Sequence, residues 1–213
     1  MVCPVCNQRK RKRFCPAKAA KICTTCCATE REVTIDCPFD CPHLKEARQR
    51  EHKSLLDPAH FPYKEIRIGE TFLRDHEELL LFCGRTVLSC ALETSKATDR
   101  DIREALDALI QTYKTLGSGI YYETRPESAY AREIMGRIQG RFRELQENET
   151  QQMGFSRTRD ADILHILVFL YRMALDRDNG RSRGKAFLDF MRQHFRPAEE
   201  KPAAAPSLII PGA

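Results

Sequence analysis

From about Ile68 to Phe195, apolar residues recur three and four positions apart, the spacing that places them on one face of a helix. Phe72, Leu79, Cys83, Val87 and Cys90 form a first stripe. Ile102, Ala105, Leu109, Tyr113 and Leu116 form a second, with Thr98 placed to cap it. Pro126 is placed to open a third helix, striped by Ile134, Ile138, Phe142 and Leu145. The fourth begins near Thr158 and is apolar almost all round (Ile163, Leu164, Ile166 to Leu170, Met173), as a central buried helix would be. Gly180 is placed to end it. Phe187, Leu188, Phe190, Met191 and Phe195 stripe a fifth. No β-type alternation of useful length interrupts the pattern. The expected fold is mainly α, with an all-α five-helix bundle over residues 66–196. Gly136 and Gly140 lie one turn apart on the third helix and each costs roughly 1 kcal/mol against Ala. They either admit a neighbouring helix closely or are simple weak points.

Outside this range the pattern changes. Residues 1–43 are too few and too polar to bury a core, so something other than apolar packing must hold them. Residues 44–65 read as a short charged helix (44–55) and a linker rich in Pro, His and aromatics. Residues 197–213 read as a flexible, Pro- and Ala-rich tail. Its apolar end, Ser207 to Pro211, is either a segment that docks on a groove or sheet edge or a solvated terminus.

Ten cysteines occur, eight of them between Cys3 and Cys41. No apolar run approaches the eighteen or so residues that span a bilayer, and the N-terminus carries no apolar stretch of the secretory kind. The chain is therefore expected in the reducing cytoplasm, away from membranes, where clustered thiols point to metal rather than disulfides. The order is Cys3-x2-Cys6, Cys15, Cys23-x2-Cys26-Cys27, Cys37-x3-Cys41, then His43. A C-x2-C turn aims two sulfurs at one ion, and zinc takes four such ligands in a tetrahedron. Cys3, Cys6, Cys23 and Cys26 make the natural first site. Cys15, Cys27, Cys37 and Cys41 supply a second, with His43 in reserve. Neighbouring side chains of an extended segment point to opposite faces, which predicts different ions for Cys26 and Cys27. Structural zinc in a peptide of this size contributes an apparent ~10–16 kcal/mol, enough to replace a missing core. The expected cofactor is Zn2+, two ions per chain.

This interleaved cysteine order over residues 3–43 resembles the compact two-zinc fingers of the MYND and HIT type, and the resemblance implies protein contacts. The layout ICTTCCATEREVTIDCPFDCPHL, followed by helices and the stretch SGIYYETRP, also resembles an uncharacterised bacterial zinc-binding family. That second resemblance implies no activity.

Charge adds a further partner. Residues 1–45 hold nine Lys/Arg against four Asp/Glu, whereas residues 46–213 hold twenty-six of each. The run Arg9, Lys10, Arg11, Lys12 and Arg13 attracts phosphate, the usual first sign of nucleic-acid binding. Two zinc ions on eight thiolates subtract four charges, so part of the run is expected to offset its own metal sites. Catalytic constellations are weak. Asp75-His76-Glu77 lacks a second histidine at HExxH spacing, and Asp162-x2-His165 lacks a partner motif. Cys83 and Cys90 read as core residues. Tyr121 to Arg125 read as a cleft lining or a plain connection. The expected function is a non-enzymatic zinc-finger protein that binds a protein partner; the alternative is an RNA- or DNA-binding protein that uses Arg9 to Arg13.

Overall fold

The computed structural model describes residues 1–51, 61–119 and 122–195. The far end of the 44–55 helix, the start of the linker, Tyr121 and the tail with its Ser207 to Pro211 segment lie outside the described residues.

The N-terminal segment builds a short hairpin. Strands β1 (Arg13–Cys15) and β2 (Ala20–Ile22) pair antiparallel, with Phe14 opposite Lys21. A single 3-10 turn, Pro16–Lys18, joins them, and Ala19 adopts φ 48° to close it. Helices α1 (Thr24–Thr29) and α2 (Pro42–Glu51) follow.

The rest is helical. In chain order come α3 (Glu70–Asp75), α4 (Glu77–Glu93), α5 (Asp99–Gly117), α6 (Ala129–Met153), α7 (Asp160–Asp176) and α8 (Ala186–His194). The chain is mainly α with a cysteine-rich N-terminal segment, as the periodicity predicts. The predicted first helix is divided at His76, whose backbone (φ −116°, ψ 28°) leaves the helical region. Among the described residues, six helices therefore stand where five stripes are legible. Their boundaries follow local chemistry. At α5, Thr98 accepts the Asp101 amide while the Asp101 carboxylate accepts the Thr98 amide, a reciprocal capping box. Helix α6 starts at the Ser128 cap, two residues after Pro126. Helix α7 ends at Asp176, so Gly180 (φ 67°) turns the loop beyond it instead of ending the helix.

Two apolar cores form. The larger gathers Cys83, Val87, Ile102, Leu106, Leu109, Ile134, Ile138, Phe142, Ile163, Leu167, Phe187 and Met191 with their neighbours. Both α5 and α7 run through it, and α7 buries Ile163, Ile166, Leu167, Val168 and Leu170 on several faces, as its all-round apolar sequence requires. Asp99, the first residue of α5, accepts the amides of Phe187 and Leu188 at 2.9 and 3.0 Å and so caps α8 from a different helix. The smaller core consists of Ile22, Ile35 and Leu44 among cysteines.

Gly136 and Gly140 face open space, so neither admits a close helix. That role belongs to Gly84 of α4. A Cβ there would stand 2.1 Å from the ring of Phe195.

Candidate metal centre

Four of the cysteines converge. After Cys3 the chain turns back, with the Asn7 amide donating to the Cys3 carbonyl at 2.8 Å and Asn7 at φ 51°. Cys23 leaves β2 and caps α1: its sulfur accepts the Cys26 amide at 3.3 Å. The Cys3 sulfur accepts the Cys23 amide at 3.2 Å. The ligand atoms of Cys3, Cys6, Cys23 and Cys26 lie within 4.8 Å of one another, and Cys6 and Cys23 sulfurs are 4.0 Å apart. A tetrahedron of zinc–sulfur bonds of about 2.3 Å has edges of about 3.8 Å, so the quartet fits such an ion with little movement.

Electrostatics point the same way. The amides of Arg9 and Gln8 stabilise the Cys6 thiolate and draw its pKa down to about 6. Burial pushes the Cys3 thiol up, but the amides of Cys23, Cys6 and Val5 outweigh it and the net direction is down. Cys26, beside Cys23 and buried, is pushed up to about 12. Without a cation, sulfurs this close cannot all ionise. A divalent ion between them removes the conflict and takes all four as thiolates.

The other four predicted ligands meet less closely. Cys15, Cys37 and Cys41 are buried in the same small core and Cys27 packs against it half-buried. Burial raises the Cys37 thiol against the pull of the Glu32 amide, and Cys41 and Cys15 are near enough to add to the rise. His43 is half-buried on α2. Among the described residues, the Cys3 quartet is the one group of three or more His, Cys, Asp or Glu whose ligand atoms meet within 4.8 Å. All ten cysteines are free thiols. Cys26 and Cys27 are not on an extended segment, as the sequence argument assumed. Both lie on α1, where neighbours diverge by about 100° around the axis; Cys26 turns into the quartet and Cys27 does not.

The basic run forms one edge of the hairpin. Arg9, Lys10 and Lys12 are exposed, and Arg11 and Arg13 are half-buried. Up to residue 29 the chain contains seven Lys/Arg and no acid, the other two cations being Lys18 and Lys21. The nearby acids engage other partners. Asp36 pairs with Lys185 at 2.7 Å, and Glu30 accepts from Thr34 at 2.6 Å.

Glu32 is the residue that sequence reasoning missed. It is 1% exposed and sits at φ 52°. Its carboxylate accepts Arg48 at 2.6 Å, Asn179 at 2.8 Å and the Lys185 amide at 3.0 Å; its carbonyl accepts the Arg183 amide at 2.8 Å. Arg48 reaches on to Asp189 of α8 at 2.6 Å, and Arg181 donates to the Arg31 carbonyl at 2.7 Å. These bonds fasten the cysteine module to the α7–α8 loop. Phe39 joins them by packing on the larger core beneath Arg192, 4.3 Å from its ring centre. No spacing in EREVTID signals this, because the partners on the α7–α8 loop are about 150 residues away.

The enzyme-like pairs separate. Asp162 is held by Arg159 at 2.8 and 3.1 Å and faces His76 at 3.6 Å, while His165 turns its Nδ1 to the Ala161 carbonyl. Cys83 and Cys90 are buried in the larger core, and burial raises both thiols. Thr124 and Arg125 line a cleft of about 440 Å³ with Arg100, Arg103 and Tyr171. No helix among the described residues is long and apolar enough to cross a membrane.

Compared with known families, curated proteins and solved structures, the chain matches none.

Proposed function

We propose that this chain is a zinc-dependent binding protein, non-catalytic, whose cysteine module presents a recognition surface and whose helical bundle holds that module in place. The Cys3, Cys6, Cys23, Cys26 quartet carries the reading. Four sulfurs at ion-binding distance replace the core that 43 residues cannot bury. Zinc is the ion of choice because an all-thiolate tetrahedral set suits it and leaves no open position for catalysis. A second zinc is assigned to Cys15, Cys27, Cys37 and Cys41, with His43 as substitute, and requires those sulfurs to draw together around the ion.

A protein partner follows from the resemblance to two-zinc interaction fingers. A nucleic-acid partner is the second reading, favoured by the acid-free stretch up to residue 29. Purification from native cells with and without nuclease, and before and after chelation, tests the function. The account expects a macromolecular partner that is retained with zinc and lost on chelation. Retention of the same partner by zinc-free protein would overturn it.

A further inference from the structure

The hairpin divides its cations between two faces. Exposure alternates along the chain, with Lys10, Lys12 and Phe14 exposed, Arg11 and Arg13 half-buried, and Cys15 buried. The Lys12 amide donates to the Ile22 carbonyl at 2.8 Å, which sets both Lys12 and Arg13 against Ile22 at the start of β1, and Lys10 bridges Val2. Lys21 joins them across the ladder, directly opposite Phe14 and exposed. Three exposed lysines and one exposed aromatic ring thus lie along the hairpin, with Lys21 and Phe14 paired on one face. Phe14 is 56% exposed, whereas the next residue, Cys15, is buried.

Among the described residues no ion pair engages Lys10, Lys12 or Lys21, and the nearest acid in sequence is Glu30, turned to Thr34. One divalent ion on four thiolates carries −2, which leaves residues 1–29 at about +5. The cations are thus not consumed by the first metal centre.

Resting on the reading of a metal-held binding module, we propose that this face binds single-stranded nucleic acid. Lys10, Lys12 and Lys21 contact successive phosphates and a base stacks on Phe14. Cations tracking a backbone beside an exposed ring are the two components of strand binding without sequence readout, and every base offers a stacking face. An acidic peptide would satisfy the lysines but leave the ring without a planar partner. A duplex hides its base faces and would use the lysines alone.

The test uses zinc-loaded full chain and fluorescein-labelled 12-nucleotide oligo(U) and oligo(dT), with a 12-base-pair duplex and a poly-glutamate peptide as rivals, read by anisotropy at several salt concentrations. The expected result is preferential binding of the single strands, with affinity falling as salt rises at a slope near −2 for three phosphates. Phe14→Ala weakens it about tenfold, and Lys10→Ser/Lys12→Ser/Lys21→Ser flattens the salt slope. Zinc content and helical circular dichroism, measured on the same samples, show that each variant is folded. Absence of single-strand binding at low salt in zinc-loaded protein overturns this proposal alone. Tighter binding of the duplex or the peptide, or indifference to Phe14→Ala, also overturns it. Protein that takes up no zinc instead removes the reading on which the face depends.

Discussion

At the scale of single residues, one carboxylate joins the cysteine module to the helical bundle. Glu32 is buried, charged and held by four donors that belong to α2 and the α7–α8 loop. A buried charge is tolerated only when its partners are complete, and removing one side of such a set costs about 3–5 kcal/mol. Glu32→Ala leaves Arg48 facing Asp189 alone and the Asn179 amide without its acceptor. The expected outcome is a fall of about that size in unfolding free energy, with faster hydrogen exchange at the amides of Arg183 and Lys185. An unchanged denaturation midpoint would mean that the module is not fastened through this residue. Sequence could not single Glu32 out. Three of its four donors lie about 150 positions away, and an acid among charged neighbours carries no local mark.

At the scale of elements, the same substitution has opposite signs on two helices. On α4, Gly84 lies under the Phe195 ring, so Gly84→Ala forces the ring or the end of α8 to move. Overpacking of that kind costs typically ~1–3 kcal/mol. On α6, a Cβ at Gly136 or Gly140 meets nothing within 4 Å. Gly136→Ala and Gly140→Ala should each stabilise by up to about 1 kcal/mol, since Gly is the poorer helix former. Thermal melts of the three variants decide the matter, and a stabilised Gly84→Ala would contradict the packing described. Helix existence was legible here, because stripes such as Ile102, Ala105 and Leu109 repeat at the helical period and Thr98 marks a start. The break at His76 was not legible, since Phe72 and Leu79 still sit on one continuous stripe. The close contact at Gly84 was not legible either, because it joins helices distant in sequence. Spacing drew attention to Gly136 and Gly140 instead.

At the scale of the whole molecule, the chain combines two ways of holding itself together. The bundle buries aliphatic and aromatic side chains on α4 to α8, each fully buried Leu, Ile or Phe contributing about 1.5–3 kcal/mol. The cysteine module has only Ile22, Ile35 and Leu44 at its centre and relies on sulfur brought to a point. Its first ligand set could be read from C-x2-C spacing alone, because the turn that spacing makes is local. The arrangement of Cys15, Cys27, Cys37 and Cys41 could not, since it depends on the fold of residues 15–41 between them. Zinc-edge X-ray absorption on reduced, tag-free full chain, with the metal content of the same sample, tests the central claim most directly. The account predicts bound zinc with four sulfur neighbours at about 2.3 Å, and loss of at least one ion per chain in Cys3→Ser/Cys23→Ser. Zinc-free protein, or a first shell of oxygen and nitrogen, would contradict it.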